Sequence, residues 1–259
     1  MIALVLLGIR WAPIWVFWLG LFALGSVAVQ EMSKLLEGLG KRPWPILAMA
    51  GTLITMGTFI WPDPPLIPVL TAFLIFSLLY LVLSRQQPVE GVEHLFGTIA
   101  VVLYLGLTLG HVGGLLSAEL PVSRERGEDL LIFALVVVYF GDTFAFFGGR
   151  ALGRRKMAPQ ISPAKTWEGA GCGLVGSLLG SLLGPFWFYQ ALPVSHALGL
   201  GALLGLAGIL GDLCESYLKR AAEVKDSGSL LPGHGGMLDR IDSLLLAAPA
   251  LYWYHQLIL

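Results

Sequence analysis

The feature that most constrains this chain is a succession of apolar runs long enough to cross a bilayer. A hydrocarbon core about 30 Å thick takes roughly 20 apolar residues per helix. Eight such stretches occur, near 11–37, 45–61, 65–84, 94–116, 129–149, 169–191, 195–218 and 242–259. Only 13% of the 259 residues are charged and 56% are hydrophobic, whereas soluble domains run at about a quarter charged. Backbone groups in lipid must be satisfied within the spanning structure, which leaves helices or a closed barrel. The short alternating strands of a barrel are not found. The expected fold is therefore all-α, a polytopic integral membrane helical bundle of about eight transmembrane helices. Residues 1–10 could add a ninth crossing, form a half-helix, or continue the first span. Pro43, Pro45, Pro62, Pro64, Pro65 and Pro68 mark the early turns, since proline ends helices at or near itself.

No long linker or second soluble domain is visible. The expectation is one continuous membrane domain, with residues 1–125 as scaffold and 126–259 carrying the chemistry. Ser26-Val27-Ala28 has the small-x-small look of a cleavage site. No charged region precedes the apolar run and Arg10 interrupts it, so no cleaved leader is expected. The glycines Gly169, Gly171, Gly173, Gly176, Gly180 and Gly184 have the small-xxx-small spacing that lets helices approach closely in lipid. Cys172 and Cys214 fit no disulfide or zinc spacing and read as small core residues.

Net charge is −1 and gives no reason to expect nucleic acid as a partner; the placement of charge says more. With eight spans, the odd-numbered connections carry Lys34, Lys41, Arg42, Arg85, Arg150, Arg154, Arg155, Lys156, Lys165, Lys219, Arg220, Lys225 and Arg240. The other side carries Arg10, Arg124 and Arg126, so the division is thirteen to three. Basic loops stay in the cytoplasm, which predicts that 150–168 and 219–242 face the cytosol and the carboxyl terminus faces outward.

Ionisable groups within membrane segments are costly and mark function by default. Asp212, Glu215, Ser216 and Lys219 recur at i, i+3, i+4 and i+7, one face of a helix. Asp239 and Asp242 share a face at the entrance of the last apolar stretch. Between these groups lie Lys225-Asp226-Ser227-Gly228 and Leu231-Pro232-Gly233-His234-Gly235-Gly236, too glycine-rich for regular helix. Magnesium bridges a few carboxylates to substrate phosphates, with cations and loop amides holding the remaining oxygens. The same residues would also serve as a structural ion-pair network, and spacing alone divides the two readings evenly.

Taken together, Ser216-Tyr217-Leu218-Lys219-Arg220, Lys225-Asp226-Ser227-Gly228 and Leu231 to Asp242 resemble the signature of the phosphatidate cytidylyltransferase (CDP-diacylglycerol synthase) family, over 27 residues. Asp142-Thr143-Phe144-Ala145-Phe146-Phe147-Gly148-Gly149-Arg150 resembles that family's fifth-helix motif. Ser162-Pro163-Ala164-Lys165-Thr166-Trp167-Glu168-Gly169 resembles its Ser-Pro-x-Lys-Thr motif. The resemblance covers about residues 130–259, while the first 120 agree only as a generic membrane bundle. It implies a nucleotidyltransferase that moves CMP from CTP to phosphatidic acid in phospholipid biosynthesis, giving CDP-diacylglycerol and pyrophosphate. It further implies a divalent cation such as Mg2+, a possible second cation, a homodimer, and a multi-pass place in the cell's inner (plasma) membrane.

On that resemblance the metal ligands are expected among Asp142, Asp212, Glu215, Asp239 and Asp242. Lys165, Lys219, Arg220, Lys225 and Arg240 would hold phosphates. Ser162, Thr166, Ser216, His234, Gly235 and Gly236 would shape the substrate pocket. Elsewhere, His94, His111, His196 and His255 read as interfacial polar tips. Trp11, Trp15, Trp18, Trp44 and Trp61 read as an aromatic belt. Glu31 and Glu37 with Lys34 read as helix-surface pairs, although Glu31 could face the bundle. Two rivals remain: a CTP-dependent polyprenol or phytol kinase, which would move the γ-phosphoryl group, and an ion-coupled transporter whose carboxylates bind cations.

Overall fold

The computed structural model of the chain describes residues 8–118, 127–228 and 235–259. The helices are α1 (Ile14–Gly38), α2 (Pro45–Ile60), α3 (Leu66–Leu83), α4 (Pro88–Val101), α5 (Leu107–Leu116), α6 (Gly127–Leu152), α7 (Trp167–Leu183), α8 (Val194–Ala221) and α9 (Leu238–Ile258). A π-helical turn, Val102–Gly106, joins α4 to α5, so that Pro88–Leu116 is one 29-residue stretch. A second, Gly184–Phe188, extends α7. Counted this way the described residues hold eight helical stretches, at the positions of the eight apolar runs. Among the described residues six are long and apolar enough to cross a membrane; α2, with 16 residues, is shorter, and α9 is the other stretch outside the six. The protein is a polytopic helical membrane protein.

Helix starts follow the prolines: Pro45 and Pro88 occupy first-turn positions, where a missing N–H costs nothing. The run expected to begin at 94 begins at Pro88 because Glu90 suits the amino-terminal turn. Residues 8–11 are helical, but the chain breaks at Ala12–Pro13 before α1, so they do not simply continue the first span. Residues 1–7 lie outside the described ones.

The chain divides into two compact units. The first comprises residues 1–12, 115–217 and 241–259. In it α6 and α7 pack along the glycine stripe foreseen in the sequence. A Cβ on Gly173 would meet Ala145 at 3.0 Å, and one on Gly180 would meet Phe140 at 2.9 Å. Between these helices lies a feature absent from the expectation, an antiparallel hairpin of β1 (Lys156–Ala158) and β2 (Ser162–Thr166). Its strands are too short to show a period in the sequence. Arg10 pairs with the buried Asp129 at 2.8 Å. The second unit comprises residues 13–114 and 218–240, with α1, α2 and the π turn at its core.

Several single-residue expectations are corrected. Trp44 is 6% exposed, edge-on to Tyr80 at 4.9 Å, with its backbone N–H donating to Thr98 at 2.9 Å; it belongs to the core and not to a belt. His111 and His255 are buried, and His111 lies against Phe59 at 4.4 Å. Cys172 is half-buried beside Gly148, and Cys214, expected in the core, is exposed. It continues the outward stripe of Leu206, Leu210 and Tyr217 on α8, a face that suits lipid. Glu31 is buried and is no surface pair; its partners are described below.

Candidate active site

In the first unit the hairpin delivers Lys165. Its base is held by Trp167, whose N–H donates to the Arg155 carbonyl at 3.0 Å. Glu168 accepts from the backbone N–H groups of Arg154 and Arg155 at 3.0 and 3.1 Å. Thr166 is the N-cap of α7, its hydroxyl accepting from Gly169 at 3.1 Å as capping geometry requires. Ser162 begins β2, paired with Ala158. So fixed, Lys165 reaches α8, where its Nζ lies 2.7 Å from Asp212 Oδ2. Ser216, one turn on, donates to Asp212 Oδ1 at 3.2 Å.

Asp142 on α6 lies within electrostatic reach of Asp242, Asp212 and Lys165. Ser243 donates its hydroxyl to Asp142 at 3.5 Å and its N–H to Asp242 at 2.6 Å. Gly211 permits this arrangement, because a Cβ there would strike the Asp242 carbonyl of α9. Four sequence-distant stretches thus bring three carboxylates and one ammonium together. Glu215 is fully buried on α8.

In the second unit Asp239 organises the signature segment. Its Oδ1 accepts from Lys219 Nζ at 2.5 Å. Its Oδ2 accepts from Gly236 N–H at 2.8 Å, and from Ser227 N–H and Oγ at 3.0 Å each. Asp239 precedes the apolar stretch that starts at 242. Burial pushes its carboxyl up, but the bonds from Lys219, Gly236 and Ser227 outweigh this and hold it below the usual aspartate value. Gly235 has φ +79°, and a Cβ there would come within 3.0 Å of Asp239 Oδ2. Arg220 donates to the Val224 carbonyl at 3.0 Å, finishing α8. Lys225 and Arg240 are exposed. His234 lies outside the described residues.

Glu31 was missed as a member of this cluster. It accepts from Ser227 Oγ at 3.0 Å and from the N–H groups of Met237 and Leu238 at 2.9 Å each. The available signal was a carboxylate on the buried face that includes Ala28, Met32 and Leu35. Ser227 and Ser243 likewise carry no mark in the sequence that singles them out.

Among the described residues no three acidic, histidine or cysteine side chains form a ready-made metal cage. The oxygen-only donor set of Asp142, Asp212 and Asp242 nonetheless fits magnesium, which takes one or two carboxylates and completes its shell with waters and substrate phosphates.

The sequence pattern of the Cytidylyltransferase family matches residues 1–258. The Escherichia coli (strain K12) protein named "Uncharacterized protein YnbB" is 38% identical over 191 residues, 70% of this chain and 63% of its own length. The Bacillus subtilis "Phosphatidate cytidylyltransferase" is 39% identical over 158 residues, 61% of this chain and 56% of its own. The Helicobacter pylori protein of the same name is 47% identical over 133 residues, 51% of this chain and 48% of its own. The chain thus matches about half to two-thirds of the length of these relatives.

Proposed function

The chain belongs to the cytidylyltransferase family, and on that premise we propose that it transfers CMP from CTP to phosphatidic acid. The observation that carries this reading is the meeting of Lys165 with Asp212 at 2.7 Å, both within electrostatic reach of Asp142, as is Asp242. Cationic and anionic groups from four distant stretches converge, as handling of a polyphosphate and its counter-ion requires. Relatives named phosphatidate cytidylyltransferase supply the acceptor.

In the proposed reaction a phosphate oxygen of phosphatidic acid attacks the α-phosphorus of CTP. The bond from that phosphorus to the β-phosphate oxygen breaks, and pyrophosphate leaves with the electron pair. The nucleophile is already anionic near neutral pH, so no strong base is needed. The barrier is repulsion between two anions, and the chain's task is positioning and neutralisation. Lys165 is held by the hairpin and by Asp212, ready to exchange that carboxylate for a phosphate oxygen. Lys219, fixed by Asp239, is the second such cation. Arg220, Lys225 and Arg240 would add phosphate contacts, and His234, Gly235 and Gly236 would line the substrate. A bound Mg2+ would supply further charge neutralisation on the phosphates. Asp142, Asp212 and Asp242 are the residues to hold it, with Glu215 as an additional ligand or support.

The basic-residue asymmetry supports placing both segments, 150–168 and 219–242, on the cytosolic face of the inner membrane, where CTP is found. The test is pyrophosphate release from CTP by the purified protein in lipid nanodiscs. It should require both phosphatidic acid and a divalent metal; release that ignores phosphatidic acid would refute the acceptor.

A further inference from the structure

We propose that Glu31 is a positioning residue. Its carboxylate, brought in by α1, fixes the backbone on either side of the signature loop and thereby holds Asp239 and Lys219 in working geometry. The proposal rests on the reading above for its activity arm only.

Glu31 is 5% exposed in a span where an ionised carboxylate is costly. Both of its oxygens are used. Oε1 accepts from Met237 N–H at 2.9 Å, and Oε2 accepts from Leu238 N–H at 2.9 Å and from Ser227 Oγ at 3.0 Å. Leu238 opens α9, so the carboxylate meets the free amides and positive end of that helix. Met237, just ahead of it, cannot cap with its own side chain. The cap therefore arrives from a residue more than 200 positions earlier.

Asp239 grips the same backbone from its other side through Gly236 N–H and Ser227 N–H. Ser227 Oγ has one proton and lies 3.0 Å from a carboxylate oxygen of each acid, which makes it the link between them. The glycine pattern of the signature follows from this arrangement. A Cβ on Gly228 would fall onto the Glu31 carboxylate, 2.8 Å from its Cδ, and the nearest atoms it meets all belong to Glu31. A Cβ on Gly236 would meet Glu31 Oε2 at 2.7 Å, as well as Ser227. Gly228 is thus glycine because Glu31 occupies the space that its side chain would need.

The experiment has two arms. Hydrogen exchange needs no substrate: in Glu31→Gln one of the two amide acceptors becomes a donor. Exchange at whichever of Met237 and Leu238 loses its acceptor should then rise on the order of tenfold, the scale of one lost charge-assisted hydrogen bond. Unchanged exchange there overturns the proposal. The second arm is a cycle of Glu31→Ala, Gly228→Ala and the pair, read as kcat and KM for CTP. Gly228→Ala should lower kcat on the order of tenfold or more in the native background. On Glu31→Ala, which vacates the space, it should cost less than about twofold more. Equal costs in both backgrounds overturn the proposal. A KM rise with kcat intact would do the same, since working geometry is a kcat property here. Should Glu31→Ala fail to accumulate, Gly228→Ala alone must still raise exchange at 237 and 238, and its failure to do so refutes the lock. If the wild-type protein transfers no CMP, the functional reading fails while the exchange arm still decides the proposal.

Discussion

Replacing Asp239 by Asn changes one charge at the centre of the second unit's cluster. The carboxylate serves Lys219 with Oδ1, and serves Gly236 and Ser227 with Oδ2. An asparagine oxygen can satisfy only one of these sides. If it takes the backbone side, its NH2 faces the Lys219 ammonium, donor against donor. The two side chains are 10% and 14% exposed, so water compensates poorly. Removing one partner of a buried pair costs about 3–5 kcal/mol. The residual exposure of Asp239 argues for the lower end, about 3 kcal/mol, and so for a thermal midpoint about 6–12 °C lower in a domain of this size. Activity should fall on the order of a hundredfold or more, the scale of losing an electrostatic stabiliser.

The paired substitution Lys219→Met with Asp239→Asn separates structure from chemistry. The asparagine oxygen keeps accepting from Gly236 and Ser227, and the methionine removes the ammonium that its NH2 would otherwise face, so the midpoint should largely return while activity stays low. Thermal unfolding in detergent and CMP transfer from CTP, measured on the same preparations, read both quantities. Recovery of activity together with stability would mean that the pair is only structural, and unchanged behaviour of Asp239→Asn would refute the reasoning altogether.

Lys165→Ala should reduce CMP transfer on the order of a hundredfold, whereas the exposed Lys34 changed to Ala should leave it nearly unchanged; similar mild effects of both would reduce the hairpin to a topological role. Asp239 sits below the ordinary aspartate value of 3.8, so its stabilisation is full above that value and is lost as pH falls through the lower folded one. As pH falls below about 4 the midpoint of the native protein should therefore drop more than that of Asp239→Asn, and equal drops would contradict the cited bonds. In a functional background lacking Cys172 and Cys214, cysteines at the exposed positions Gln160 and Val224 should label from the cytosolic side and one at Pro193 from outside; labelling of 160 and 224 from opposite faces would break the topology.

The helices were legible because lipid imposes length and apolarity on every span, and their ends lay within a few residues of the apolar runs, except where Pro88 and Glu90 start α4 with polar residues. The cluster of Lys165, Asp212, Asp142 and Asp242 was legible as residue types in motifs, but its convergence depended on the hairpin, whose three- and five-residue strands are too short for periodicity. In the sequence Ser227 is only one residue of the signature, with no sign that it links two carboxylates. Glu31 escaped because its partners lie near the other end of the chain, and its i+3 neighbour Lys34 suggested a surface pair. A single buried acid on an otherwise apolar helix face was the clue, and a local pairing rule overrode it.

The most direct measurement is the fate of label when the purified protein in lipid bilayers receives CTP, phosphatidic acid and Mg2+, with CTP carrying the label at either its α- or its γ-phosphate. The account predicts that α-label enters the lipid product as CDP-diacylglycerol, while γ-label leaves as pyrophosphate in equal amount. Appearance of γ-label in the lipid, with CDP released, would contradict it and make the protein a CTP-dependent lipid kinase.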